Sequence, residues 1–272
     1  MHPADSSVPT LTVTELTSPA APQRVLVLVP GLGTDLRSTW SRLTPHLDPG
    51  THALGIELPG HGASAPWDPA PEAPAMEHLA EGVIRAVHRF RAGRPDLAEV
   101  PVHLAGISLA GGLALQLAID HQDVFTSTVV VCSAAIIGEP QAWRDRAALV
   151  LEEGTGTLSE GSAQRWFAPG FRESDPGTTD LALAALRDTD DASYAALCSV
   201  LSRFDVRDRL SEVSVPVLVV SGEHDPVTPP TDGAAVASAM PHGRAEVVTG
   251  VSHQAPTERP AEVAALMDGF LC

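Results

Sequence analysis

Three short stretches of this 272-residue chain hold the residue types that acyl transfer requires. The first is His103-Leu-Ala-Gly106-Ile107-Ser108-Leu109-Ala110-Gly111-Gly112. An apolar run enters Gly106, a serine follows, and a stretch of small apolar residues with helical character comes next. A serine on so sharp a strand–turn–helix junction sits in strained backbone with its Oγ exposed. Small residues two positions to either side let strand and helix approach. Ala110 stands where the G-x-S-x-G pattern asks for glycine, a departure of one methyl group. A serine in an ordinary strand–helix turn is the competing reading. The second stretch is Val219-Val-Ser-Gly222-Glu-His-Asp225-Pro226-Val227, where an acid projects from the loop beyond a strand end. That is where an acid orienting a histidine must sit. Asp232 and Glu223 are alternatives, and Asp225 could instead serve a turn or a helix cap. The third is Val247-Val-Thr-Gly250-Val-Ser-His253, which puts a histidine in a loop ahead of the last helix. Such loops at strand C-termini are where α/β sheets carry their chemistry. Ser108, Asp225 and His253 together would supply a nucleophile, the acid that orients the base, and the base.

An attacked carbonyl also needs donors for its oxygen. Val29-Pro30-Gly31-Leu32-Gly33-Thr34-Asp35 follows a strong apolar strand, and its glycines let the backbone come close. The N–H groups of Leu32 and Leu109 are the candidate oxyanion hole. The pair Gly31 and Gly33 is not a dinucleotide fingerprint, because Leu36 stands where the third glycine would be. His61, in Leu58-Pro-Gly60-His61-Gly62-Ala-Ser64, is a rival base that precedes the serine, and it is read as structural. His103 lies within a strand and reads as a core residue, and His224 cannot easily fold back onto Ser108. No HExxH, paired-histidine or aspartate cluster suggests a metal, and no cofactor is expected.

The elements that must position these residues are legible as short apolar runs. Val25–Val29, His52–Leu58, Val102–Ala105, Thr128–Cys132, Val217–Val220 and Ala245–Val248 are rich in β-branched residues and bounded by Gly or Pro, as buried parallel strands are. Helical patterns run between them over Met76–Arg91, Leu109–His121, Pro229–Met240 and Pro260–Leu271. Alternation of this kind predicts an α/β fold, a mostly parallel sheet with helices on both faces. The rhythm breaks from Gly138 to Phe204, where Gln141–Glu153, Ser159–Phe167, Thr179–Arg187 and Ala192–Phe204 look helical and no strand intervenes. The expected organisation is a core domain of residues 1–137 and 205–272 with a helical cap at 138–204. Pro66–Pro74 is a Pro/Ala-rich loop.

Composition narrows the function classes. All 17 basic residues are arginine, so Schiff-base lysines, P-loop lysines and Ser-Lys dyads are impossible. The formal charge of −17 argues against nucleic acid and anionic membranes as partners. It also means that an anionic substrate would need a local cationic patch. Cys132, Cys198 and Cys272 are odd in number and widely spaced, which suggests neither a disulfide framework nor a zinc site. The N-terminal stretch lacks the basic and apolar regions of a signal peptide, and no run is long enough to span a membrane. A cytoplasmic location is expected.

Taken together, Pro30-Gly-Leu-Gly-Thr-Asp-Leu-Arg-Ser-Thr-Trp40, Pro59-Gly-His-Gly-Ala-Ser64, the Ser108 turn, Gly222-Glu-His-Asp-Pro-Val-Thr-Pro229 and Val251-Ser-His253 resemble the α/β-hydrolase superfamily over nearly the whole chain. The order Ser108, Asp225, His253 is the order of that superfamily. More narrowly, the Leu-Gly-Thr-Asp string and the cap segments Ile137-Gly-Glu-Pro-Gln-Ala-Trp143-Arg-Asp-Arg146, Arg165-Trp166-Phe167 and Asp188-Thr-Asp-Asp-Ala-Ser-Tyr194 resemble 3-oxoadipate enol-lactonases. Pro30-Gly31, where those enzymes often carry Asn-Ser or His-Ser, and Ala110 are departures. The resemblance implies an α/β-hydrolase fold with a helical cap and hydrolysis of a small anionic lactone in aromatic catabolism. It also implies a cap arginine holding the substrate carboxylate. Arg144 is the expected residue, with Trp143 and Trp166 as apolar walls, and a solvated helix face is the bland alternative for Arg144. Related activities on the same fold are carboxylesterase, C–C hydrolase, perhydrolase and secondary-metabolite hydrolase. A binding protein without catalysis is a further alternative.

Overall fold

The computed structural model describes residues 7–67 and 73–271. The middle of the Pro/Ala-rich loop and Cys272 lie outside the described residues. In chain order the first half runs β1 (Val13–Glu15), β2 (Arg24–Val29), α1 (Leu36–Trp40), β3 (Thr51–Ile56), α2 (Met76–Ala92), β4 (Val102–Ile107), α3 (Leu109–Asp120) and β5 (Ser127–Val131). Helices α4 (Pro140–Glu153), α5 (Ser159–Trp166), α6 (Phe171–Ser174), α7 (Pro176–Asp188) and α8 (Asp191–Leu201) follow without an intervening strand. The chain then returns to the sheet with β6 (Val217–Gly222), α9 (Pro230–Ala239), β7 (Gly243–Val248), α10 (Ala255–Glu258) and α11 (Pro260–Asp268).

The strands form one sheet in the order β1-β3-β2-β4-β5-β6-β7, parallel except for the antiparallel pair of β1 with β3. The central strands β2 to β6 are covered on both faces, which is why they read as continuous apolar runs, whereas the edge strands β1 and β7 are largely exposed. Val25, Val27 and Val29 of β2 face one core with α2, α3 and α9. Leu26 and Leu28 face the other, with Trp40, Val263 and Met267. The helices start where local chemistry dictates. Proline occupies the first turn of α4, α7, α9 and α11, where its missing N–H costs nothing. Asp175 and Asp190 cap α7 and α8 by accepting from Thr178 N and Ser193 N.

The structure differs from the sequence reading mainly at short elements. The three-residue β1 and the five-residue α1 are too short to show a period and were not expected. Strand β3 ends at Ile56, because Leu58-Pro-Gly60 is already turning, and the expected final helix, α11, starts at Pro260 but is preceded by the short, unexpected α10. Strand order reverses around β2, with β3 on one side and β4 on the other. The crevice beyond the carboxyl ends of β2 and β4 is therefore where such a sheet binds its ligand. Among the described residues no helix is long and apolar enough to cross a membrane.

Candidate active site

Ser108 occupies the turn between β4 and α3 at φ 57°, ψ −120°, a conformation that costs a non-glycine residue strain. The surroundings hold it there. Ser108 N donates to Val131 O at 3.0 Å, and Ser108 O accepts from Gly112 N at 3.0 Å and Ser133 Oγ at 2.7 Å. A Cβ on Gly106 would lie 2.1 Å from Ala110 O, and one on Gly111 would lie 2.4 Å from Ser133 Cβ. Those two positions admit only glycine, whereas Ala110 packs its methyl into the core at 1% exposure. Alanine at the last motif position is thus compatible with the turn.

Asp225 and His253 are brought together from loops 28 residues apart in sequence, with His253 Nδ1 2.7 Å from Asp225 Oδ2. The carboxylate is saturated. Oδ2 also accepts from Thr228 Oγ1 at 2.9 Å, and Oδ1 accepts from Val227 N at 2.8 Å and Thr228 N at 3.1 Å. Burial opposes ionisation, but the facing imidazole and these donors outweigh it and hold the carboxyl below its usual range. Glu223 instead accepts from Gly250 N, and Asp232 lies in the first turn of α9. Among the described residues the acid bonded to His253 is Asp225.

Cys132, at φ 44°, completes a buried trio whose ligand atoms with Asp225 and His253 all lie within 4.8 Å of one another. As a metal set the trio is poor. The Asp225–His253 hydrogen bond engages two of its members, and burial pushes the Cys132 thiol well up, keeping it protonated.

Ser108 and His253 open into one cavity of about 240 Å³, together with Leu32 of the loop after β2. Leu109 begins α3, where first-turn N–H groups have no carbonyl a turn earlier to bond. Helices α4 and α5 roof the cavity. Trp143, half-buried, donates its Nε1–H to Ile137 O at 2.5 Å, and both Trp143 and Trp166 line the cavity.

Arg144 does not line it. It is exposed, and its guanidinium bonds Gln141 Oε1 at 3.1 and 2.8 Å. The reason is helical geometry, since adjacent residues are turned about 100° apart while residues three apart share a face. Arg146, three residues beyond Trp143, lies over the Trp143 ring at 4.8 Å and lines the cavity with Arg165 of α5. Sequence reasoning missed both arginines, although the Trp143–Arg146 spacing was a usable signal. Neither has a carboxylate within salt-bridge distance among the described residues. Burial and the neighbouring Arg146 push the Arg165 pKa down. Burial pushes the adjoining Tyr194 up to about 12.

A further acid ties the helical segment between β5 and β6 to the His253 loop. Glu258 accepts from Ser252 N at 2.7 Å with one oxygen and from Ala168 N at 2.9 Å with the other. Gln254 N donates to Trp166 O at 2.9 Å, and Ser252 Oγ to Arg165 O at 3.0 Å. The cavity wall carrying Arg165 and Trp166 is thereby fastened on both sides of His253.

Known proteins share this architecture. Residues 26–266 match the alpha/beta hydrolase family. The chain is 33% identical to 3-oxoadipate enol-lactonase 2 of Acinetobacter baylyi over 88% of its own length and 85% of the relative's. It is 29% identical to 3-oxoadipate enol-lactonase 1 of the same organism, over 90% and 88%. The solved enol-lactonase from Burkholderia xenovorans superposes with a TM-score of 0.84 at 27% identity, covering 96% of both chains. With a strained serine turn after β4, an Asp–His pair after β6 and β7 and a family match across nearly the whole sheet, this chain belongs to the alpha/beta hydrolase family.

Proposed function

We propose that this protein is a serine hydrolase that cleaves a small anionic lactone or ester through an acyl-enzyme, with 3-oxoadipate enol-lactone as its foremost substrate. Residues 138–204 act as the cap over a core of 1–137 and 205–272. His253, oriented by Asp225, takes the Ser108 proton as Oγ attacks the lactone carbonyl. The N–H groups of Leu32 and Leu109 receive the oxyanion. The leaving enolate takes that proton from His253 and becomes a ketone, which leaves His253 neutral, and this step needs less acid assistance than loss of an alkoxide. Water activated by His253 then releases the acid.

The observation that carries this reading is the shared cavity, which holds Ser108 and His253 at its floor and Arg146 and Arg165 in its roof. In a chain of charge −17, two arginines without carboxylate partners suit a carboxylate-bearing substrate. At about 240 Å³ the cavity is smaller than the range of roughly 300–1,000 Å³ usual for drug-sized ligands, which favours a small ring over a long acyl chain.

The test is direct turnover of the enol-lactone by wild type and Ser108→Ala, with fluorophosphonate labelling alongside. Wild type should turn over and label, and Ser108→Ala should do neither. Turnover of neutral esters without the lactone would favour a carboxylesterase instead. Absence of labelling at Ser108 would leave a binding protein on this fold.

A further inference from the structure

His61 precedes Ser108 in the chain and is no partner of Asp225, yet its ring makes two specific contacts. It is 1% exposed. Its Nδ1 lies 2.8 Å from Pro59 O and its Nε2 2.9 Å from Gly33 N. A carbonyl only accepts, so Nδ1 carries the proton and Nε2 is the acceptor for the Gly33 N–H. Burial pushes the His61 pKa down to about 4, against the Pro59 carbonyl and the more distant Asp35 and Asp190, so this neutral tautomer persists at working pH.

The amide that His61 grips lies in the turn that presents Leu32. Gly31 O accepts from Thr34 N at 3.1 Å and Thr34 Oγ1 at 2.9 Å, and Thr39 Oγ1 supports that hydroxyl at 3.1 Å. In a trans peptide the carbonyl of Gly31 and the N–H of Leu32 point in opposite directions. Holding the carbonyl away from the cavity therefore aims the Leu32 N–H toward it. Gly33 takes φ +77° to close the turn, and a Cβ on Gly31 would already lie 3.3 Å from Ser108 Cβ, so the turn rests directly against the serine. The His61 turn is itself anchored to the cap. Asp190 N donates to Gly60 O at 2.9 Å, and Trp67 N donates to Ser193 Oγ at 2.9 Å.

We propose that His61 and Thr34 are positioning residues, which lock the Gly31–Thr34 turn so that the Leu32 N–H meets the oxygen made negative when Ser108 adds to a carbonyl. The inference rests on the acyl-transfer reading of Ser108. It assigns His61 the work of an acceptor and excludes it as a base. Losing one preorganised oxyanion donor lowers kcat by roughly 10²–10³-fold, and loosening one by about 10–100-fold.

The experiment compares His61→Ala, His61→Asn, His61→Gln and Thr34→Val with wild type on p-nitrophenyl acetate, with melting curves for each. A glutamine can bring a carbonyl oxygen near the Nε2 position and accept from Gly33, whereas an asparagine reaches only the Nδ1 position. His61→Ala, His61→Asn and Thr34→Val should lose about 10–100-fold in kcat with KM within about threefold, and His61→Gln should recover most of that loss. Wild-type kcat in His61→Asn overturns the proposal, as does a His61→Gln no better than His61→Ala. Should the His61 variants fail to fold, Thr34→Val decides, and an unchanged kcat there overturns it. A wild type that neither labels at Ser108 nor turns over removes the acyl-transfer reading and this inference with it. Normal labelling and turnover beside an indifferent His61→Asn remove the inference alone.

Discussion

Asp225→Asn replaces one oxygen by NH₂, and the hydrogen-bond pattern dictates which one. Asp225 Oδ1 accepts from two backbone donors, Val227 N and Thr228 N, and neither can reverse its role. Placing NH₂ there would orphan two buried donors at about 1–3 kcal/mol each. Asp225 Oδ2 faces the Thr228 hydroxyl, which can rotate to accept, and His253 Nδ1, which can give up its proton. The amide therefore turns its NH₂ toward His253 and forces the proton onto Nε2, the nitrogen that must be free to take a proton from Ser108. The wrong tautomer lowers kcat by about 10⁴-fold, or about 5.5 kcal/mol of barrier, while KM stays near its wild-type value. Initial rates on p-nitrophenyl acetate across a pH series provide the assay, with a melting curve to establish folding. A folded Asp225→Asn variant that loses less than about tenfold in kcat would refute the tautomer argument and the role given to His253.

Two further outcomes follow from the partly buried cavity arginines and the buried Glu57. A charge-assisted hydrogen bond contributes about 1.5–3 kcal/mol. Arg146→Ala and Arg165→Ala should therefore each raise KM for the anionic lactone by about 10–100-fold and for a neutral ester by less than about threefold. Exposed Arg144→Ala should change neither, and equal effects on both substrates in the cavity variants would count against carboxylate recognition. Glu57 is 5% exposed, and its pKa is raised from 4.5 to about 7, chiefly by burial and also by Asp35, against the Leu36 N–H. Between those values the unfolded chain has released its proton while the folded chain keeps it, so stability falls as pH rises through the window. Denaturant titrations of wild type should lose about 3 kcal/mol relative to Glu57→Gln from pH 4 to pH 8. Parallel stability curves for the two proteins would contradict the assigned shift.

The sheet and the neighbourhood of Ser108, Asp225 and His253 were legible because each is a local pattern. A parallel strand covered on both faces is a continuous apolar run, and the chemistry of such a sheet gathers in the few residues after each strand. Gly106 marks its turn because a Cβ there would meet the Ala110 carbonyl a few residues away. Strand β1 and helix α1 were not legible, since a three-residue strand and a five-residue helix carry no period and form through tertiary packing.

What the sequence by itself determined is the order of the elements and the chemical types at the ends of the strands, because both follow from interactions between residues close in the chain. It also excluded every lysine mechanism through composition alone. Only the tertiary structure decided which charges face the cavity. Arg144 and Arg146 are equally charged and nearly adjacent; the three-residue spacing sets Arg146 beside Trp143, but only the docking of their helix over the site turns that face to the cavity and leaves Arg144 exposed. Only the tertiary structure, likewise, gave His61 the Gly33 N–H to accept and Glu258 two amides to join, 28 and as many as 90 residues away. Those contacts depend on how distant segments pack, and no local pattern of residues encodes them.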